Sequence, residues 1–149
     1  MIKNFFLFAI ASLFTLSITS CKKPIPGCTD SNAENFDGLA EEDNGSCSYR
    51  GSAVFYHTQQ TSQNLLAAEV TNVKLYVDGN FWDAMSPNIY FDFIPTCNHE
   101  DAMKVANYGT GSDVFQTLNY RITDQDENIL DEGTFILSGN ECNAIEYYY

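Results

Sequence analysis

Asn72-Val73-Lys74-Leu75-Tyr76-Val77-Asp78-Gly79-Asn80-Phe81-Trp82 alternates apolar and polar residues up to Asp78-Gly79-Asn80, then resumes with two aromatic residues. Successive side chains of a strand point to opposite faces, so Val73, Leu75 and Val77 form one apolar face, with Lys74 and Tyr76 on the other. Asp-Gly between two such runs is a strong short-range signal for a hairpin. The same period recurs on both sides. Ser52 to Thr58 sets Val54 and Tyr56 against Phe55 and His57, and Asn88 to Ile94 sets Ile89, Phe91 and Phe93 against Tyr90 and Asp92. Ala102 to Tyr108 and Val114 to Thr123 flank Gly109-Thr110-Gly111, with Leu118, Tyr120 and Ile122 on one face. Leu130 to Leu137 runs into the turn Ser138-Gly139-Asn140, and Cys142 to Tyr149 closes the chain. About seven short strands with frequent turn signals predict an all-β fold over 51–149, an antiparallel immunoglobulin-like or transthyretin-like β-sandwich. The one stretch with helix potential is Ser62 to Val70, as a loop or one short helix.

Upstream the composition changes. From Lys22 to Tyr49 aliphatic residues are scarce and Asp, Glu, Asn, Gly and Ser are frequent. Further upstream, Phe5 to Ile18 is an apolar run preceded by the basic Lys3, the layout of a secretory signal peptide. Its length as a helix, about 21 Å, is short of a hydrocarbon core of about 30 Å, which disfavours a permanent span. The expected organisation is a signal peptide over 1–20, a tether over 21–27, an acidic cysteine-bracketed module over 28–49 and the sandwich over 51–149.

Ile18-Thr19-Ser20-Cys21 resembles the lipobox of bacterial lipoproteins, an aliphatic residue and two small ones before a cysteine. That resemblance implies lipidation of Cys21 and cleavage before it. Two or three acyl chains hold far more firmly than one, at about 0.8 kcal/mol per buried methylene. Cysteine counting agrees. Five cysteines, Cys21, Cys28, Cys47, Cys97 and Cys142, become an even four once Cys21 is assigned to lipid. Four allow three connectivities, of which local organisation favours Cys28 with Cys47 and Cys97 with Cys142. The chain has no Cys-x-x-Cys pair, and an oxidising export route favours disulfides over zinc.

With Lys3 removed, 20 acidic residues face 6 basic ones, a formal charge of −14. Such a surface repels nucleic acid and anionic headgroups and favours divalent cations. Gly27-Cys28-Thr29-Asp30 through Asn35-Phe36-Asp37 to Asp43-Asn44-Gly45-Ser46-Cys47 resembles a short module of secreted and surface proteins from Bacteroidetes-type bacteria, often compared with the calcium-binding repeats of thrombospondin type 3. The resemblance implies an extracytoplasmic protein, and the side chains a calcium ion would use are Asp30, Asn32, Glu34, Asp37 and Asp43. Asp30-x-Asn32-x-Glu34 places oxygens at alternate positions as an EF-hand loop does, but its sixth position is Asn35 rather than Gly. The alternative is that these acids solvate a disulfide-closed loop.

Catalytic motifs are missing from the sequence: it has no Gly-x-Ser-x-Gly, no His-Glu-x-x-His and no phosphate-cradling glycine loop. Of the two histidines, His57 is expected on the exposed face of the first strand, and His99 in a polar loop. Trp82, Tyr90, Tyr108, Tyr120 and Tyr147-Tyr148-Tyr149 are candidate platforms for sugar rings, or else strand packing. Tyr147 and Tyr149 are expected on one face of the last strand and Tyr148 on the other. The expected protein is a lipid-anchored lipoprotein of the outer membrane or cell envelope, extracytoplasmic. It acts as a non-catalytic binding or structural module with a glycan or envelope protein as partner. The alternative is a carbohydrate-binding or calcium-dependent adhesion module.

Overall fold

The computed structural model describes residues 22–149. Cys21 and the signal segment lie outside the described residues. The module contributes two short strands, β1 (Pro26–Gly27) and β2 (Glu42–Asp43), paired in parallel. Seven strands make the sandwich: β3 (Tyr49–Tyr56), β4 (Val73–Val77), β5 (Asn80–Met85), β6 (Met103–Gly111), β7 (Phe115–Thr123), β8 (Ile129–Ser138) and β9 (Cys142–Glu146). They form a three-stranded sheet in the order β6-β3-β9 and a four-stranded sheet in the order β5-β4-β7-β8. The all-β sandwich expected from the alternation is the fold.

The quoted hairpin forms as read. Val77 pairs with Asn80, and Gly79 holds a φ of 78° at the turn, a conformation that costs glycine little. All pairs within the sandwich sheets are antiparallel except β3 with β9, which run parallel from Ser52↔Cys142 to Tyr56↔Glu146. The parallel pair arises because the turn after β8 carries the chain to the other sheet, where Ser138 N–H donates to Asn143 Oδ1 at 3.2 Å. The opposite seam is closed in the same way: Lys104 N–H of β6 donates to Asp83 Oδ2 of β5 at 2.9 Å.

Between the sheets lies the core of Ala53, Phe55, Val73, Leu75, Val77, Leu118, Ile122, Phe135 and Leu137. Phe55 meets Tyr120 and Phe135 at centroid separations of 5.2 and 5.3 Å. Gly51 marks the closest crossing, since a Cβ there would sit 2.5 Å from the Ser138 carbonyl oxygen.

One expected strand is absent. Asn88 to Ile94 forms turns and bends, although Phe91 on its predicted apolar face is buried. The segment from Ser86 to Asp101 is a strap over the outer face of the three-stranded sheet, touching it where Phe91 N–H donates to the His57 carbonyl at 3.0 Å. Phe91 stands edge-on to Tyr56 at 6.4 Å. Cys97–Cys142 fastens the strap to the start of β9, and Cys28–Cys47 closes the acidic module. Both faces of β3 are therefore covered, with Ala53, Val54 and Phe55 fully buried.

The helix, α1 (Gln59–Ala67), starts before the stretch read as helical, after the extended Thr58, and buries Thr61, Ser62 and Leu65. The composition boundary at Gly51 falls inside β3, and Tyr49 packs with Cys28 and Ala33 of the module.

Candidate functional site

The acidic module spends its side chains on its own turns and on the sandwich. Asp30 Oδ1 accepts from Asn32 N–H at 2.8 Å, and Asp30 Oδ2 from the Tyr49 hydroxyl at 2.7 Å. The Tyr49 bond is the main reason the Asp30 carboxyl lies below its ordinary pKa, and the same bond raises that of Tyr49. Asp37 Oδ1 accepts from Leu39 N–H, and Asp43 Oδ1 from Gly45 N–H, both at 2.9 Å. Glu34 pairs with Arg50 Nε at 2.9 Å. The bonds of Asp30, Asp37 and Asp43 to backbone N–H groups two residues on are the local Asx bonds that make Asp a good turn residue, whereas the Tyr49 and Arg50 contacts tie the module to β3. Among the described residues no three His, Cys, Asp or Glu side chains gather where one metal ion could be held. Asp30, Asn32, Glu34, Asp37 and Asp43 thus share a region without converging on a point.

His57 departs from the placement that strand alternation predicts. It is fully buried rather than exposed, because β3 ends at Tyr56 and the chain turns beneath α1 and the strap. Its Nδ1 lies 2.6 Å from the Tyr147 hydroxyl and its Nε2 3.3 Å from the Pro87 carbonyl, which also accepts from Ser62 Oγ at 2.6 Å. Burial pushes the His57 pKa down, a partly opposing bond to Pro87 notwithstanding, and pushes that of Tyr147 up. The cluster is a satisfied core network that joins α1, the strap and the C-terminus. His99 packs edge-on to Phe91 at 4.9 Å.

The aromatic residues separate into two groups. Tyr147 is fully buried, while Tyr148 and Tyr149 are both exposed, because β9 ends at Glu146 and strand alternation no longer applies. Trp82 and Tyr108 lean on one another at 5.7 Å and pack against the core. Tyr120 also packs against the core, where burial and the Asp131 carboxylate, 3.0 Å from its hydroxyl, raise its pKa to about 12. Tyr90 is exposed on the strap.

The face not assembled from the sequence is the outer side of the four-stranded sheet. Because Leu118 and Ile122 of β7 are buried, Phe115, Thr117, Asn119 and Arg121 point outward. Register places Glu132 beside Arg121, Thr134 beside Asn119 and Ile136 beside Thr117. On the other side Tyr76 lies beside Arg121, and Phe81 beside Tyr76. Phe81, Phe115 and Ile136 are 58%, 65% and 58% exposed.

A chain of contacts orders the middle of this face. Lys74 Nζ pairs with Glu127 at 2.5 Å, and the Tyr76 hydroxyl donates to the same carboxylate at 2.9 Å. The Tyr76 ring carries the Arg121 guanidinium 5.2 Å from its centroid and meets Phe81 at 5.8 Å. Glu127 is held below its ordinary pKa chiefly by Lys74, then by Tyr76. Tyr76, Gly79, Asn119, Arg121 and Glu132 line a shallow cleft of about 210 Å³. The signal for this face was present in Thr117, Asn119 and Arg121, the polar partners of Leu118, Tyr120 and Ile122. Alternation within one strand does not say which strands flank it, so the face is not legible from these residues alone.

Other concavities lie away from this face. A polar cleft of about 390 Å³ beside Cys97–Cys142 is lined by Arg50, Ser52, Asn98, Asn107 and Asn140. A groove of about 330 Å³ under the strap is lined by Tyr56, Phe91, Phe93 and Ile94. Among the described residues no helix is long and apolar enough to cross a membrane. No family model, curated protein or solved structure matches the chain.

Proposed function

We propose that this protein is a lipid-anchored lipoprotein of the bacterial cell envelope, held through Cys21, whose β-sandwich serves as a non-catalytic binding module. The observation that carries the reading is the cysteine pairing. Cys28–Cys47 and Cys97–Cys142 use four of the five cysteines, leaving Cys21 behind the apolar run of a signal peptide. Two bridges fit an oxidising, extracytoplasmic compartment. The binding character is supported by where the polar chemistry lies: His57 and Asp30 serve the fold, whereas the outer sheet face presents ordered side chains to solvent.

Metabolic labelling with a fatty acid tests the anchor. The wild-type chain is expected to take up label and partition with membranes, and Cys21→Ser to lose the label. Unlabelled wild-type protein, or a Cys21→Ser variant that keeps its label, would overturn the reading.

A further inference from the structure

We infer that the outer face of the four-stranded sheet binds a neutral saccharide, stacked on Phe81 and hydrogen-bonded by Arg121, Asn119 and Glu132. This rests on the binding-module reading above and names the class of ligand that such a module takes.

The chemistry of the face selects among ligand classes. An anion asks for donors alone, and an added β-strand asks for a free strand edge. A sugar asks for a flat apolar surface under its C–H face with donors and acceptors side by side at its rim. Phe81 supplies the flat surface, well exposed and held edge-on against Tyr76. Arg121 supplies only donors and Glu132 only acceptors, one strand spacing apart. Asn119 gives its amide N–H to Asp78 Oδ1 at 3.0 Å, and its own Oδ1 has no protein donor among the described residues.

Arg121 is the telling residue. Among the described residues its guanidinium pairs with no carboxylate and rests over the Tyr76 ring, 5.2 Å from its centroid, and Glu127, itself paired with Lys74, fixes that ring in turn. A donor array oriented before binding loses little freedom when the ligand arrives. An anionic ligand is disfavoured because Lys74 is paired with Glu127, and Arg121 has Glu132 beside it with Asp78 close by on Asn119, in a chain whose total is strongly negative. Phe81 is set apart from Phe115 and Ile136, with Arg121, Asn119 and Thr134 lying between, so the exposed apolar side chains do not form one patch, which suits ring-by-ring contact over a dry protein interface.

The experiment is calorimetric titration of the full chain in detergent with gluco-, manno-, galacto- and xylo-configured neutral oligosaccharides, with uronate-containing oligosaccharides alongside. At least one neutral series is expected to bind. Phe81→Ala and Arg121→Gln should each weaken it about tenfold, the equivalent of one lost stacking or charged hydrogen-bond contact. Glu132→Gln, which preserves size, should weaken it severalfold, and Phe93→Ala on the strap should leave it unchanged. All these side chains are exposed, so an unaltered melting temperature certifies the fold of each variant. Binding by no neutral saccharide, preference for the uronates, or affinity indifferent to Phe81→Ala and Arg121→Gln would overturn the proposal. The titration does not involve Cys21, so its failure leaves the anchor standing, and a failed labelling experiment leaves the saccharide face untouched.

Discussion

The sandwich has two outer faces, and they have been finished differently. Over the three-stranded sheet the strap lays Phe91 on Tyr56, and a disulfide fastens it to β9. Over the four-stranded sheet none of the described residues is laid, and Phe81, Phe115 and Ile136 are exposed. Both faces carry aromatic residues, Tyr56 on one and Tyr76, Phe81 and Phe115 on the other, so the presence of aromatic side chains does not separate them. The difference lies in the covering: on one face apolar area is removed from water and contributes to stability, and on the other it remains available to a ligand.

The largest way to break this comparison is to unfasten the strap. Replacing Cys97 and Cys142 together by Ser releases a loop with a sequence separation of 45. Loop-closure entropy puts the cost at about 4 kcal/mol, read as a lower midpoint in chemical denaturation. Next comes a matched pair of truncations. Phe91→Ala should cost about 3 kcal/mol because it empties a packed site, whereas Ile136→Ala on the open face should stay within about 0.5 kcal/mol. Equal costs would mean that the two faces are not differently covered.

The smallest effect sharpens the account of the seal. Burial lowers the folded pKa of His57, so the unfolded chain takes up a proton first. Stability should therefore be flat above pH about 6.5 and fall below it, by at most about 1.4 kcal/mol per pH unit for one proton. The window extends down to the lowered folded value. Asp30, Asp124 and Glu127, also lowered, contribute stability present above the ordinary carboxylate range and lost as pH falls through their folded values. His57→Gln should remove the upper step and leave the lower one; a profile unchanged by the substitution would contradict the buried network.

The sandwich was legible where periodicity was long and bounded by turns. Val73 to Val77 with Asp78-Gly79 and Leu118 to Ile122 each carried their own proof. It failed at Asn88 to Ile94, where the same alternation occurs between Pro87 and Pro95 but the segment crosses a sheet instead of joining one, a distinction made by tertiary packing alone. His57 was misplaced for a related reason: alternation describes a residue only while the strand lasts, and β3 ends one residue earlier. The disulfides followed the favoured pairing, because each bridge closes a local unit. The acidic loop could be read for its residues but not for their partners, since Asp30 and Glu34 turn to Tyr49 and Arg50 on the next strand. The open face was invisible for want of register: Arg121, Tyr76, Phe81 and Glu132 come from four strands and meet only once those strands are ordered.

Amide hydrogen exchange with and without a bound neutral oligosaccharide tests the division of the two faces most directly. The account predicts added protection confined to β4, β5, β7 and β8 around Tyr76, Phe81 and Arg121, with the strap from Ser86 to Asp101 unchanged. Protection appearing on the strap, or nowhere on the four-stranded sheet, would contradict it.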